Sequence, residues 1–226
     1  MSTAPLIGVI CGAQAEAAAL GTLWRDTRLM VVFSGAQPGR AEAQARACLG
    51  AGCRALLSFG TAGGLAPGLV PGALLAPEAV LAGDGTRWVP VPWLVPQGVA
   101  GDLLGVDRLA ADPAAKAVLR ADTGAVAVDM ESHRVALVAA EAGLTFGVLR
   151  AVLDPAERAL PSAAAAALGE EGQTRPLRLA LGLMRNPWQI GTMRSLGHDF
   201  RAARAALADA AAKVLPRAFD RLSAQG

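Results

Sequence analysis

Histidine and cysteine are scarce in this 226-residue chain, and each shortage closes a class of chemistry. Two histidines, His133 and His198, leave few ligands for a zinc site. Three cysteines, Cys11, Cys48 and Cys53, are odd in number and show no Cys-x-x-Cys spacing, which fits a metal site poorly and suits a reduced cytosol. No uncharged apolar run approaches ~20 residues, so no transmembrane helix is expected. The stretch MSTAPLIGVICGAQAEA has no basic segment ahead of its apolar run, so a signal peptide is not expected either. A net charge of +2 is too small to point to nucleic acid. Lysine is nearly absent: two of the 21 basic residues are Lys, a bias that fits genomic base composition better than function. There is no internal repeat and no linker long enough to separate two domains.

What is abundant is alanine. The 53% of hydrophobic residues signals tight helix packing more than membrane spanning, and the length suffices for one α/β domain with a sizeable core. Strands are expected at 6–10, 29–33, 55–59, 125–128 and 146–153, with helices at 15–23, 40–49, 113–120, 131–142, 162–168 and 200–215. Asp112 ahead of Pro113 reads as an N-cap, and Gly143 closes the helix over 131–142. Residues 34–39 and 60–64 read as glycine-bearing loops, and 67–96 as short strands and loops. Strands alternating with helices imply a mostly parallel sheet covered on both faces.

The most informative stretches are Ala127-Val128-Asp129-Met130-Glu131-Ser132-His133 and Leu149-Arg150-Ala151-Val152-Leu153-Asp154. Each runs an apolar strand into an acid, and open α/β sheets carry their ligands at such strand ends. Read locally, Asp154 before Pro155 is a common turn residue, Glu131 is favoured in a first helical turn by the helix dipole, and Met130 is core filling. Glu16 alone is an ordinary solvated helix residue. The run Gly60-Thr61-Ala62-Gly63-Gly64 is an unspecific turn whose small residues would let backbone N–H groups approach an anion.

Taken together, Glu16, the Gly60–Gly64 run, the Asp-Met-Glu-Ser string and Phe-Gly-Val-Leu-Arg-Ala-Val before Asp154 resemble the nucleoside phosphorylase and nucleosidase family over residues 6 to about 160. The resemblance implies a three-layer α/β/α sandwich around a twisted, mostly parallel mixed sheet. It also implies cleavage of a purine from a ribose. Asp154 would protonate the departing base, Glu131 would grip the ribose hydroxyls, and Met130 would lie under the sugar. Glu16 would orient the attacking water, and Gly60 and Thr61 with Gly35 and Arg40 would surround the nucleophile, water or phosphate. Arg108 and Leu109 match the stretch that usually carries a base-stacking aromatic. No metal and no cofactor is implied, with phosphate open as co-substrate.

Three positions depart from the family pattern. Ser58 stands where phosphorylases carry a phosphate-binding Arg, which leans toward hydrolysis. Leu153 stands where nucleosidases often place a Ser before the acid, and Arg108 and Leu109 supply no aromatic. His133 reads as a packed or exposed helix residue.

The string Val-Asp-Met-Glu-Ser-His with the tail Leu-Asp-Pro-Ala-Glu-Arg-Ala-Leu-Pro is similar to one branch, the hopanoid-associated phosphorylases. That resemblance implies release of adenine from adenosylhopane, a nucleoside with a large apolar 5′ substituent, giving ribosyl- or phosphoribosylhopane. Residues 174–226 form a basic, apolar C-terminal portion of the single domain, with nine Lys/Arg against three acids. Leucines from Leu177 to Leu183, Trp188 and Met193 interleave there with arginines. This suits a lipid–water interface, a peripheral contact with the inner face of a membrane, and equally an ordinary helix pair whose arginines snorkel. A homodimer in the cytoplasm is expected. Two rival readings are a general methylthioadenosine/adenosylhomocysteine nucleosidase and a non-catalytic nucleoside- or lipid-binding protein on the same fold.

Overall fold

A computed structural model of the chain describes residues 6–160 and 189–224. The expected helix at 162–168 and most of the Leu/Arg interleaving before residue 189 lie outside the described residues.

The hydrophobic strands assemble as their two-sided burial requires. β1 (Ile7–Cys11) is buried throughout and pairs in parallel with β2 (Leu29–Phe33) and β3 (Ala55–Gly64). On its other edge β3 pairs in parallel with β8 (Thr145–Asp154). The far end of β3 pairs antiparallel with β7 (Ala127–Asp129) through Gly63 and Gly64. From β7 the sheet continues through β6 (Val99–Gly105) and β4 (Leu75–Leu81) to β5 (Arg87–Trp88), the last pairing antiparallel. The result is a mixed, mostly parallel eight-stranded sheet.

The period of two along each strand sorts the core into two layers. Ile7, Val9, Leu57, Phe59, Leu149 and Ala151 face the C-terminal helix α5 (Gln189–Ala224), meeting Ala203, Leu207, Ala211 and Phe219. Ile10, Leu56, Val148 and Val152 face the other way, onto Ala41, Ala45 and Cys48 of α2 (Pro38–Gly50) and Val135, Val138 and Ala139 of α4 (Ser132–Glu141). Helices on both faces of the sheet make the three layers. α3 (Pro113–Thr123) forms as its sequence predicts: Asp112 accepts a hydrogen bond from the Ala115 amide at 2.8 Å, Pro113 follows, and Gly124 closes the helix at φ 70°.

Several elements differ from expectation for local reasons. Residues 60–64 are strand, because β8 and β7 both supply pairing partners there. The helix expected over 15–23 is one α-helical turn, α1 (Gln14–Ala17), followed by a 3-10 segment Ala18–Arg25 broken at Gly21, whose φ is 56°. β6 is hidden in the sequence by the small and polar run Ala100, Gly101 and Asp102. α5 extends well beyond 200–215 and runs through Pro216.

β8 carries two acid-site side chains, and its fit depends on Gly147. A Cβ there would lie 2.2 Å from Leu94 Cβ and 2.6 Å from the Leu94 carbonyl oxygen, and backbone cannot yield cheaply. Gly147→Ala should therefore cost about 1–3 kcal/mol by overpacking. A thermal melt should show this as a drop of several degrees, at about 2–4 °C per kcal/mol for a chain of this size. An unchanged Tm would mean that the segment around Leu94 is not held against β8.

Candidate active site

The carboxyl ends of β1, β3, β7 and β8 open on one cavity of about 420 Å³. Its polar floor is built around Arg150. This side chain is 1% exposed and sits on β8 opposite Gly60 of β3. Its Nη1 donates to the Thr61 carbonyl at 2.9 Å, and its Nη2 to Ser58 Oγ at 2.7 Å and Glu131 Oε2 at 2.9 Å. Its Nε lies 2.8 Å from Asp129 Oδ2, close enough for an ion pair but off the line of a hydrogen bond. Burial alone would lower the guanidinium pKa; Asp129, Glu131 and Glu16 more than reverse this, so the charge is held above its ordinary range. Ser58 Oγ also accepts from Ser132 Oγ at 2.9 Å, and Ser132 in turn binds Asp129.

Glu131 is the N-cap residue of α4, which places its carboxylate at the end of β7. Ser34 Oγ donates to its Oε1 at 3.2 Å. Burial pushes the Glu131 carboxyl up to about 7, with Asp129 and Glu16 adding to the rise and Arg150 opposing it. Glu16 closes the first turn of α1. Its Oε2 accepts from the Ala13 amide at 3.0 Å, the backward reach typical of a glutamate three residues after an N-cap. Its Oε1 accepts from both the amide and the hydroxyl of Thr61, each at 2.7 Å. The two glutamates converge on Gly12, where a Cβ would stand 3.1 Å from an oxygen of each.

Asp154 ends β8 on the same cavity and is 2% exposed. Its Oδ2 is ion-paired with Lys116 of α3, a side chain that is itself fully buried. The ammonium also donates to the carbonyls of Pro155 at 2.8 Å and Arg158 at 3.0 Å. Burial raises the Asp154 carboxyl to about 6, and Lys116 holds it from rising further.

The rest of the cavity is apolar. Leu109, Ala110, Met130, Leu160, Leu196 and Phe200 contribute to its wall, the last two from α5. Of the residues singled out in the sequence, Asp154, Glu16, Glu131, Met130, Leu109, Thr61 and Gly35 line this one space. Gly60 lies just behind it: a Cβ there would be 2.7 Å from the Glu16 carboxylate and 2.8 Å from Arg150 Nη1, so only glycine leaves room for both side chains beside β3. Arg40 and Arg108 are not among the lining residues; Arg40 is half-buried on α2, and Arg108 is exposed. His133 also lies off the cavity, with Nε2 3.0 Å from Asp107 Oδ1. Sequence reasoning missed Lys116, Asp129, Leu196 and Phe200. The sparse lysine was the available signal for the first, and adjacency to Met130-Glu131 for the second. Among the described residues no cluster of three or more His, Cys, Asp or Glu side chains is set to hold a metal ion.

The sequence matches the phosphorylase superfamily over residues 13–100 and 99–184, and the chain belongs to that family, as an enzyme of the nucleoside phosphorylase and nucleosidase class. A comparison with the curated proteins gave no match. The fold is shared with the 5′-methylthioadenosine/S-adenosylhomocysteine nucleosidase of Helicobacter pylori, at a TM-score of 0.70 and 15% identity over 95% of this chain and 99% of that one. The same enzyme from Neisseria meningitidis, bound to methylthio-immucillin-A, aligns at 0.64 and 17% over 91% and 97%. Futalosine hydrolase of Helicobacter pylori aligns at 0.62 and 18% over 80% and 98%.

Glu131 makes stability depend on pH in a predictable direction. Its carboxyl ordinarily titrates near 4.5 and in the fold near about 7, so folding takes up a proton between those values. Stability contributed by the raised pKa is therefore full at the acid side and lost as pH rises through about 7. Glu131→Gln removes the ionisation, so its Tm relative to wild type should climb from a pH just above the lower edge of that window to a pH just above its upper edge. A difference in Tm that stays constant over that range would show Glu131 titrating as an ordinary carboxyl.

Proposed function

We propose that the chain hydrolyses the N-glycosidic bond of a purine nucleoside carrying an apolar 5′ substituent. The observation that carries this reading is the placement of two acids, from β8 and α1, against positions two residues apart on β3. Asp154, beside Gly63, has a raised pKa and serves as proton donor to the departing base. Glu16, bound by Thr61, serves the nucleophile. Water passes one proton to Glu16 and adds as hydroxyl to the anomeric carbon as the bond to the base breaks, while the base leaves with the proton from Asp154. Glu131, fixed by Arg150 and Ser34, accepts hydrogen bonds from the ribose hydroxyls, and Met130 beside it floors the sugar.

Charge supports water over phosphate. Four carboxyls, Glu16, Asp129, Glu131 and Asp154, face two cations, Arg150 and Lys116, which are already paired with them. Arg40 does not reach the cavity, and Ser58 is committed to Arg150 and Ser132. A phosphate dianion would meet no free cation among the described lining residues.

The substrate we favour is adenosylhopane, with adenine and ribosylhopane as products. The wall of Leu109, Leu160, Leu196 and Phe200 gives a hydrocarbon 5′ group a surface to displace water from. The expected homodimer and a cytoplasmic place beside the membrane belong to the same reading; no helix among the described residues is long and apolar enough to cross a membrane. The fold shared with methylthioadenosine nucleosidases supports a second reading, in which the 5′ group is a small thioether.

Adenine release from adenosylhopane in detergent, with and without phosphate and beside methylthioadenosine, separates these. Phosphate-independent release from the lipid is expected. Release that requires phosphate would make the enzyme a phosphorylase, and release from methylthioadenosine alone would select the second reading. Asp154→Asn should lower turnover by about 10²–10⁴-fold, the usual worth of a general acid, while substrate still binds. Near-normal turnover in that variant would remove Asp154 from the mechanism.

A further inference from the structure

We propose that Lys116 is the positioning residue of the proton donor: from α3 it fixes one oxygen of Asp154, leaves the other to the departing base, and neutralises the carboxylate as the proton leaves. This rests on the reading of Asp154 as general acid. No motif in the sequence links the two residues, which are 38 positions apart.

The geometry carries the assignment. Lys116 is fully buried, and a lone ammonium in the core is untenable without partners. All three of its donors are used, on Asp154 Oδ2 and the carbonyls of Pro155 and Arg158. They hold both the acid and the turn after it, so the carboxyl cannot rotate freely. Asp154 Oδ1 receives no side-chain hydrogen bond among the described residues, while Asp154 lines the cavity.

The electrostatics have the matching sign. Asp154 begins as a neutral acid and ends as an anion when its Oδ1–H bond breaks and the base takes the proton. In an apolar pocket that anion is disfavoured, which would make the acid too weak. The charged groups acting on it are both cations, Lys116 from α3 and Arg158 from the segment after β8, the latter shared with Asp199 of α5. Lys116 is the one in contact, so the ion pair strengthens as the proton departs. The acid is returned to its neutral form by a proton from solvent after the base leaves.

A purely architectural lysine would tie α3 to the end of β8 and nothing more, and the pH profile distinguishes the two. The experiment uses whichever nucleoside the wild type turns over. Lys116→Gln keeps donors for the carbonyls but not the charge; Lys116→Arg keeps the charge. In Lys116→Gln, kcat should fall by about 10²-fold with KM nearly unchanged, and its alkaline limb should move up by about one pH unit or more. Lys116→Arg should keep the limb near that of the wild type. A limb that stays put in folded Lys116→Gln, with kcat merely scaled or unchanged, would overturn the proposal. If that variant does not fold, the ¹³C resonance of the Asp154 carboxyl in the wild type decides. Titration near about 6 is expected; titration at about 8 or above, as for a buried carboxyl with no cation, overturns the assignment. Normal turnover in Asp154→Asn would instead strike at the general-acid reading and leave the Lys116 ion pair as structure.

Discussion

The site depends on one buried guanidinium. Asp129, Glu131 and Glu16 are each nearly inaccessible to solvent, and three carboxyls brought together in a core repel one another and lose hydration. Arg150 makes the arrangement tenable because a planar fork can reach several acceptors at once. It touches Asp129, Glu131, Ser58 and the backbone of Thr61, and through Thr61 it is one step from Glu16. A lysine could satisfy only part of that set. The cation also sits on a parallel strand, so its position is set by the β3–β8 register and not by a loop. Removing it would leave charges uncompensated, at about 3–5 kcal/mol for a broken buried pair.

The glycines follow from the same requirement. Acids and arginine crowd the same space beside β1 and β3, and any Cβ at Gly60 or Gly12 would occupy the room their polar atoms need. The glycine-rich end of β3 thus has a reading different from an anion-binding loop. It is strand, kept bare so that buried side chains can pass over it, and its spare pairing capacity recruits β7. Through that pairing Asp129, Met130 and Glu131 arrive beside Arg150. Sheet topology and site electrostatics are one constraint here: the strand that hosts the cation's contacts also brings in the anions that neutralise it.

This explains which parts were legible in the sequence. The central strands read correctly because two-sided burial leaves continuous apolar runs, and α3 because Asp112, Pro113 and Gly124 mark its ends through local chemistry. The acids Glu16, Glu131 and Asp154 were visible because each closes a strand or opens a helix, a local pattern that the family resemblance sharpened. What stayed hidden was decided by tertiary contact. Lys116 in an alanine-rich helix has the sequence look of a solvated residue; only the packing of α3 against the end of β8 turns it inward. Ser58 was noted as the loss of a phosphate-binding arginine, whereas in the fold it is a buried hydroxyl wedged between Ser132 and Arg150. Arg40 and Arg108 were drawn toward the site by their position in the chain, but α2 and the segment after β6 hold them away from the cavity. Phe200 lies 46 residues beyond Asp154, and no local signal says that α5 returns to the strand ends.

That return divides the cavity by origin. The polar half is assembled from the ends of β7 and β8, the N-cap of α4 and the turn of α1, all beside strands whose register is fixed. The apolar half borrows Leu196 and Phe200 from α5, which crosses the opposite layer of the fold. Arg158 pairs with Asp199 and so fastens α5 to the segment just after Asp154, the same segment whose carbonyls bind Lys116. This ion pair adds to the apolar layer that already seats α5 on β8. Substitutions at Leu196 and Phe200 can reshape the apolar wall without touching the acids, provided that Arg158 and Asp199 remain. Polar floor and apolar wall are nonetheless not independent: α5 lies directly on β1, β3 and β8, so a change on its buried face reaches the strands that carry Arg150 and Asp154, whereas a change at Leu196 or Phe200 falls on the wall.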